Sequence, residues 1–192
     1  MKTTIKLLLG LIIVASLSSC GYNSMVTKEE QVAQAWSQVE NQYQRRADLI
    51  PNLVNTVKGY ADFEQETLTN VIEARSKATS INVDADNLNP DQIQQFQQAQ
   101  EQLSGALSRL LVTVERYPEL KANQNFSELQ AQLEGTENRI SVERGRFNEA
   151  VQEYNAYIRR FPQNITAGMF GFDKKGYFEA SEGAETPPTV EF

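Results

Sequence analysis

Apolar residues recur every three or four positions through much of this chain, which is the spacing of one face of an α-helix. The longest such stretch runs from about residue 28 to residue 80 and predicts a single long helix. Its apolar stripe consists of Val32, Trp36, Val39, Tyr43, Ala47, Ile50, Leu53, Val57, Tyr60, Leu68 and Val71.

Pro51 falls inside this first helical stretch. Proline lacks a backbone N–H and clashes with the carbonyl four residues earlier, so it kinks or breaks a helix. The stripe keeps its phase across Pro51, and no cluster of glycine, asparagine or aspartate surrounds it, which favours a kink. The alternative is a true turn, which would fold residues 28–50 back as a fourth helix.

Two further helices are predicted after residue 89. The second, over residues 90–117, has Asn89 as its N-cap and Pro90 in the first helical position, and it ends before Pro118. The third covers residues 126–161 and ends at Pro162. Short connections between helices imply antiparallel neighbours. The sequence therefore predicts an all-α fold, an antiparallel bundle of three long helices with the first kinked at Pro51.

The last 30 residues, 163–192, differ from the rest because they combine four glycines, two consecutive prolines and five aromatic residues. Aromatic residues argue against complete disorder. We expect an irregular aromatic C-terminal tail that packs on the bundle over residues 166–178. The acidic segment from residue 179 onward is expected to be mobile.

Helix lengths predict that the start of the first helix projects from the bundle. Residues 28–80 span about 80 Å at ~1.5 Å per residue, and the second helix returns only to the level of about Leu53. Three covers are possible for the projecting stripe: the aromatic tail, a second copy of the chain, or a different envelope protein. Our hypothesis is that the stripe is a partner face, formed by Val32, Trp36, Val39 and Tyr43.

The N-terminus has the features of a bacterial lipoprotein signal. Lys2 and Lys6 precede or interrupt an apolar run that extends to Leu17 and is too short to span a bilayer. Leu17-Ser18-Ser19-Cys20 resembles the lipobox, with small residues before the cysteine whose thiol accepts the lipid. The alternative is an uncleaved anchor. This predicts a signal peptide over 1–19, a lipidated linker over 20–27, a bundle over 28–162 and a tail over 163–192.

Charge and composition exclude several classes of function. The net charge is −7, and removal of Lys2 and Lys6 with the signal peptide lowers it to −9, which disfavours nucleic acid as a partner. The chain has no histidine, and its single cysteine is assigned to lipid. Disulfides and most nucleophilic or general-base chemistry are thereby excluded.

Four charged residues interrupt the predicted helical seams: Arg46, Glu64, Glu137 and Arg144. Polar groups in a seam cost stability unless they are paired, and their best-attested benefit is fixing register. We interpret them as register residues, with Arg46 answering an acidic residue on another helix. The acidic run at 84–89 lacks the spacing of a calcium loop, so no metal site is predicted.

Four glycines lie inside the predicted helices, where each costs about 1 kcal/mol relative to alanine. We favour close approach between helices over hinges as their explanation. They are Gly59, Gly105, Gly135 and Gly145.

Several segments together resemble the LemA family, in order and over nearly the whole mature chain. They are YN (22–23), QRRADLIPNLV (44–54), VKGY (57–60), YPELKAN (117–123), TENRI (136–140), RGRFN (144–148) and YN (154–155). The resemblance implies a helical protein that is attached to a membrane at its N-terminus and faces outside the cytoplasm. Many family members carry a transmembrane helix there, whereas this chain carries the lipobox. The resemblance supplies no catalytic residues.

The sequence therefore predicts a lipoprotein tethered through Cys20 that acts as a helical interaction or scaffold module. Its expected partner is an envelope protein, a second copy of itself, or both, and no cofactor, small-molecule substrate or nucleic acid is expected. The alternatives are an accessory subunit of an envelope export or efflux assembly and an enzyme that uses carboxylates or a metal. Because Gly21, not aspartate, follows the cysteine, the outer membrane is favoured in a Gram-negative cell.

Overall fold

A computed structural model describes residues 2–60, 64–85 and 87–179, with side chains described from Gly21 onward. Every regular element in these ranges is helical, as the all-α prediction requires. In chain order the helices are α1 (Lys2–Lys58), α2 (Gln65–Ser80), α3 (Pro90–Val114), α4 (Pro118–Lys121), α5 (Gln124–Ile158) and α6 (Gln163–Phe170). None of the helices in the described part is long and apolar enough to cross a membrane.

Helix α1 continues through Pro51, so residues 28–50 do not fold back as a separate helix. A proline at this position leaves the carbonyl oxygen of Ala47, four residues earlier, without its helical donor. The Arg75 side chain of α2 replaces that donor, since its Nε donates to the Ala47 carbonyl oxygen at 2.7 Å. The same bond therefore satisfies the interrupted helix and holds α2 against α1.

The prediction of one helix over residues 28–80 was wrong, because α1 ends at Lys58 and α2 begins at Gln65. The backbone leaves the helix at Gly59, and the N–H of Tyr60 bonds to the carbonyl of Val57 in a tight turn. Glycine gives up more conformational freedom in a helix than other residues, so it marks a natural end. The apolar stripe resumes in phase beyond the turn, which hid the break. The predicted count of three long helices fails for this reason.

The turn after α1 changes which elements are neighbours. Because α2 doubles back, α5 begins at the end of the bundle where α1 and α2 are joined, which we call the turn end. It then runs antiparallel to α1 along most of its length. Ion pairs between Arg46 and Glu137 and between Lys28 and Glu153 mark the two levels of that pairing. Residues 28–50 therefore lie beside α5, and the predicted projecting stalk does not exist.

The buried side chains form two clusters along the bundle. At the turn end, α1, α2, α3 and the start of α5 share one cluster, which includes Leu53, Val71 and Leu110. At the other end, which we call the anchor end because it adjoins Cys20, the residue predicted to carry lipid, the cluster joins α1 and α5 to the loop after α2 and to the C-terminal segment. The loop and the C-terminal segment thus complete the core where α2 and most of α3 do not reach.

Asparagine side chains cap the starts of α3 and α5. The Asn89 side chain accepts from the N–H of Gln92, as predicted, and the Asn123 side chain caps α5 in the same way through the N–H of Phe126. Helix α5 ends at Ile158 instead of at Pro162.

Two boundaries near the termini differ from prediction. Residues 163–170 form the short helix α6, so the tail is less irregular than expected, and Gly171 ends it with a φ of 76°. Residues 20–27, expected to be a linker, belong to α1. Mobility was predicted from residue 179 onward, but Glu179 is hydrogen-bonded to Gln97 and Arg144, and the rest of that stretch lies outside the described residues.

Close helix approach does not explain the predicted helical glycines. A Cβ built on Gly135 or Gly145 would meet nothing within 4 Å, and one on Gly105 would reach only the end of an arginine side chain. The close approach lies instead at Gly176 in the C-terminal segment, where a Cβ would sit 2.7 Å from the Cα of Pro90. Only a glycine lets the segment pass this close to the start of α3.

These contacts predict opposite effects of the same substitution. Gly135→Ala should stabilise the protein by up to about 1 kcal/mol, because alanine favours the helix and its methyl group meets open space. Gly176→Ala should destabilise it, because the backbone of α3 cannot yield as a flexible side chain would. Chemical denaturation followed by circular dichroism measures both. A loss of stability in Gly135→Ala would contradict the open environment that we describe.

Candidate functional site

The four residues of the predicted partner face are buried, so that interpretation was wrong. Val32, Trp36, Val39 and Tyr43 are all at most 5% exposed and belong to the anchor-end core. The expectation rested on the projecting stalk, and the antiparallel pairing of α1 with α5 removes it. Of the three covers that we considered for this stripe, the structure shows the aromatic C-terminal segment, together with α5.

Aromatic rings surround Trp36. Its ring centroid lies 5.2 Å from that of Phe96 on α3, 5.5 Å from that of Phe147 on α5 and 6.0 Å from that of Phe178 in the C-terminal segment. The first two pairs are edge-to-face and the third is stacked, which are favourable geometries for aromatic pairs. Trp36 is therefore the point at which α1, α3, α5 and the C-terminal segment meet.

Residues 175–179, which we call the docked segment, are held by side-chain amides that pair with its backbone. Asn155 on α5 accepts from the N–H of Lys175 at 3.0 Å and donates to the same residue's carbonyl at 2.9 Å. Asn148, two turns earlier, does the same for Phe178, with both bonds at 2.9 Å. Each amide thus satisfies both the backbone N–H and the backbone carbonyl of one residue, as a neighbouring β-strand would.

A third amide extends this arrangement from another helix. Gln97 on α3 accepts from the N–H of Glu179 at 3.0 Å and donates to its carbonyl at 3.2 Å. The N–H of Gly176 bonds to the carbonyl of Leu88. The docked segment is therefore bound by two helices and a loop, and the N–H and C=O groups of Lys175, Phe178 and Glu179 are all paired.

The amides that hold the docked segment were not predicted from the sequence. Asn148 and Asn155 are seven residues apart, and each directly follows an aromatic residue of the apolar stripe. That spacing places both amides along one edge of the buried face, so it could have identified the two amides from the sequence.

Arg46 is the most deeply buried charge in the described structure, with a side chain only 2% exposed. One guanidinium nitrogen donates to Glu137 on α5 at 2.6 Å and to the Ser104 hydroxyl on α3 at 2.8 Å. The other donates to the side-chain and main-chain oxygens of Gln100, at 2.7 and 3.3 Å. The structure thus brings Arg46 and Glu137 together, with oxygen atoms from two helices around one cation.

The other two charged residues expected in the seam do not belong to it. Glu64 precedes α2 and forms an exposed ion pair with Arg116 at 2.7 Å. Arg144 donates to the carbonyl of Glu179 at 2.7 Å, and its guanidinium carbon lies 4.8 Å from the ring centroid of Phe178. Glu64 is therefore a surface residue, and Arg144 covers the docked segment. The role of Arg46 and Glu137 in setting register stays a prediction.

Two buried tyrosines near these polar groups are held in the neutral form. Burial raises the pKa of the Tyr43 hydroxyl, and the guanidinium groups of Arg144 and Arg46 offset part of that rise. Burial also raises the pKa of Tyr154, and the carboxylates of Glu29 and Asp173 add to the effect. Neither phenol is prepared to act as a base or nucleophile near neutral pH.

A surface groove of about 260 Å³ opens beside Arg46, between α3 and α5. Leu107, Leu111 and Leu133 supply its apolar lining, while Ser104, Ser108, Glu134 and Glu137 lie along its polar edge. Among the described residues no three histidine, cysteine, aspartate or glutamate side chains are grouped to hold a metal ion. The Cys20 side chain lies outside the described residues.

The sequence of this chain matches a known protein family. The sequence model described as the LemA family matches residues 35–192, which include α5, the docked segment and the Arg46 cluster. The chain belongs to the LemA family. This LemA-family chain is also similar to curated proteins from several bacteria.

Two of the similar proteins are named for the magnetosome. Magnetosome protein MamQ 2 of Paramagnetospirillum magneticum and magnetosome protein MamQ of Magnetospirillum gryphiswaldense are each 26% identical over 187 residues, covering 86% of this chain and 67% of the relative. Protein LemA of Metamycoplasma hominis is 24% identical over 160 residues, covering 83% of this chain and 69% of the relative. The similarity extends over most of the LemA-family chain.

The two ion-paired glutamates allow a matched test of the seam. Glu137→Ala should destabilise this LemA-family protein by about 1.5–3 kcal/mol, because it removes a hydrogen bond to a buried cation. Glu64→Ala should cost less than about 1 kcal/mol, because Glu64 and Arg116 are both exposed to solvent. Denaturant unfolding of the two variants gives both values. Equal costs would show that Arg46 does not depend on Glu137.

Proposed function

We propose that this LemA-family protein is an envelope lipoprotein, tethered through lipid on Cys20, that serves as a helical scaffold and not as an enzyme. The observation that carries the proposal is the continuity of α1, which runs from Lys2 to Lys58 past the lipobox. The residue that would carry the lipid therefore stands on the helix around which the core is built. Such a connection transmits the position of the anchor to the whole bundle.

The chemistry of the described residues supports a scaffold. The buried polar groups around Arg46 bind one another across helices, and the amides of Asn148, Asn155 and Gln97 bind the docked segment. These polar groups therefore form hydrogen bonds within the protein that stabilise its fold. The names of the relatives reported above refer to the magnetosome or to the family, and none of them names a reaction.

The proposed partner surface is the groove between α3 and α5, now that the stripe on α1 is known to be core. Three leucines line the groove, and the carboxylates of Glu134 and Glu137 flank it. An amphipathic helix of another envelope protein, with an apolar face and a basic residue beside it, matches this lining. We also propose, because Gly21 and not aspartate follows Cys20, that the anchor lies in the outer membrane of a Gram-negative cell.

Loss of the cysteine tests the tether. Cys20→Ala should abolish incorporation of a palmitate analogue and leave the unprocessed precursor, because the thiol that accepts the lipid is gone. Ser19→Ala is the matched control, since alanine keeps a small residue before the cysteine and should still allow lipidation. Metabolic labelling followed by gel electrophoresis distinguishes the two. Label in the Cys20→Ala variant would refute the lipoprotein assignment.

A photocrosslinking residue tests the partner surface in intact cells. Placed at Ser108, an exposed residue on the groove, it should give an adduct with another envelope protein. The same residue placed at Thr69, on the exposed side of α2, is the control and should not give that adduct. Leu111→Asp should remove the Ser108 adduct, and a retained cooperative thermal transition should show that the bundle still folds. No adduct at Ser108, or the same adduct from Thr69, would argue against the groove.

A further inference from the structure

Large apolar side chains are exposed at the anchor end of the bundle, where the proposed function gives them no role. Phe161 is 80% exposed, Met169 76%, Phe170 62% and Ile165 56%. All four lie on or directly before α6, and a ring on α1 joins them. We call this group the anchor-end patch, formed by Tyr22, Phe161, Ile165, Met169 and Phe170.

The orientation of α6 leaves its apolar side chains pointing outward. Ala167 is the buried residue of this helix and packs into the anchor-end core. Ile165 and Met169 are four residues apart, so they share one face of the helix, and that face lies on the side away from Ala167. The larger apolar groups therefore face solvent while the smallest one faces the core. An exposed cluster of this kind marks an interaction site.

The patch lies beside the start of the anchored helix. The Tyr22 ring centroid is 5.1 Å from that of Phe170 and 5.6 Å from that of Phe172. Tyr22 follows Cys20 by two residues, which on a helix is a rise of about 3 Å. Whatever membrane surface holds Cys20 must therefore lie within about one helical turn of α6.

The chain segment that carries most of the patch has a net charge opposite in sign to that of the whole chain. Between residues 159 and 176 there are four basic residues and one acidic residue, in a chain whose net charge is −7. Lys175 is bound to Glu29 at 2.8 Å, whereas Arg159, Arg160 and Lys174 are exposed, and the two arginines directly precede Phe161 in the chain. Apolar side chains flanked by exposed arginine and lysine are suited to the interface of an anionic membrane.

We propose that the anchor-end patch inserts into the headgroup region of the membrane that carries the anchor, with α6 lying in the plane of the surface. The proposal rests on the membrane attachment of the N-terminal end in the proposed function, and it adds a second contact. One point of attachment would let the bundle pivot. Two contacts, the anchor and α6, fix the angle that the bundle makes with the bilayer.

Site-specific fluorescence in the mature lipoprotein tests this contact. The chain has one cysteine, and its thiol is taken up by lipid, so Met169→Cys introduces a unique thiol for an environment-sensitive dye. Val112→Cys is the matched control, an exposed apolar position on α3 that belongs to the turn end of the bundle. Both labelled proteins are reconstituted in vesicles of phosphatidylethanolamine and phosphatidylglycerol. Some of the lipids carry a nitroxide near the top of the acyl chain.

The dye at residue 169 should lose more than about half of its emission to the nitroxide, because an in-plane helix buries its apolar face at that depth. The dye at residue 112 should be unaffected. Flotation of the protein with the vesicles but no quenching at residue 169 would overturn the patch and leave the tether intact. Failure to float would overturn both proposals.

Two further outcomes would also contradict the proposal that the anchor-end patch inserts into the membrane. Quenching at both positions would mean that the whole bundle lies on the surface without a preferred contact. A blue-shifted emission at residue 169 without quenching, together with crosslinks between copies through that residue, would identify a second copy as the occupant.

Discussion

Burial of the Arg46 guanidinium constrains the long helices, because oxygen atoms from two of them surround this one cation on a third. A charge removed from water has to be met by other groups, and here Glu137 supplies a carboxylate while Gln100 and Ser104 supply neutral oxygens. These groups come from α3 and α5, so sliding either helix by one turn along α1 would leave the cation with fewer partners. The apolar contacts along the same seam, between side chains such as Ile50, Leu103 and Leu133, tolerate such a shift more readily.

Helical periodicity was sufficient to predict the fold class and the starts of α3 and α5, but not the connection between the first two helices. The Asn89 cap was predictable because an asparagine before a proline has a local preference that needs no tertiary contact. The turn at Gly59 was not, because the stripe on α2 resumes in phase with that on α1. What distinguishes the two arrangements is long-range: Arg75 can reach the carbonyl that Pro51 leaves unpaired only if α2 doubles back.

In the candidate site, too, the residues with a local signal could be predicted, whereas those that depend on long-range contacts could not. Arg46 could be selected from the sequence because a charge within an apolar stripe must find a partner, and the structure supplies Glu137. The stripe around Trp36 was misassigned to a partner because the sequence does not say that a late segment, carrying Phe178, returns to cover it. Asn148 and Asn155 are ordinary polar residues in the sequence. Their function follows only from the peptide backbone that lies opposite them.

The docked segment also determines the order in which the two ends of the bundle can fold. Residues 175–179 follow every helix of the described structure, yet Phe178 fills the core between Trp36 and Phe147. A ribosome delivers Trp36 long before Phe178. The half of the bundle next to Cys20 therefore cannot close while the chain is still being synthesised. The turn end, whose core needs nothing beyond the start of α5, is complete earlier, so the molecule closes toward the Cys20 end of α1.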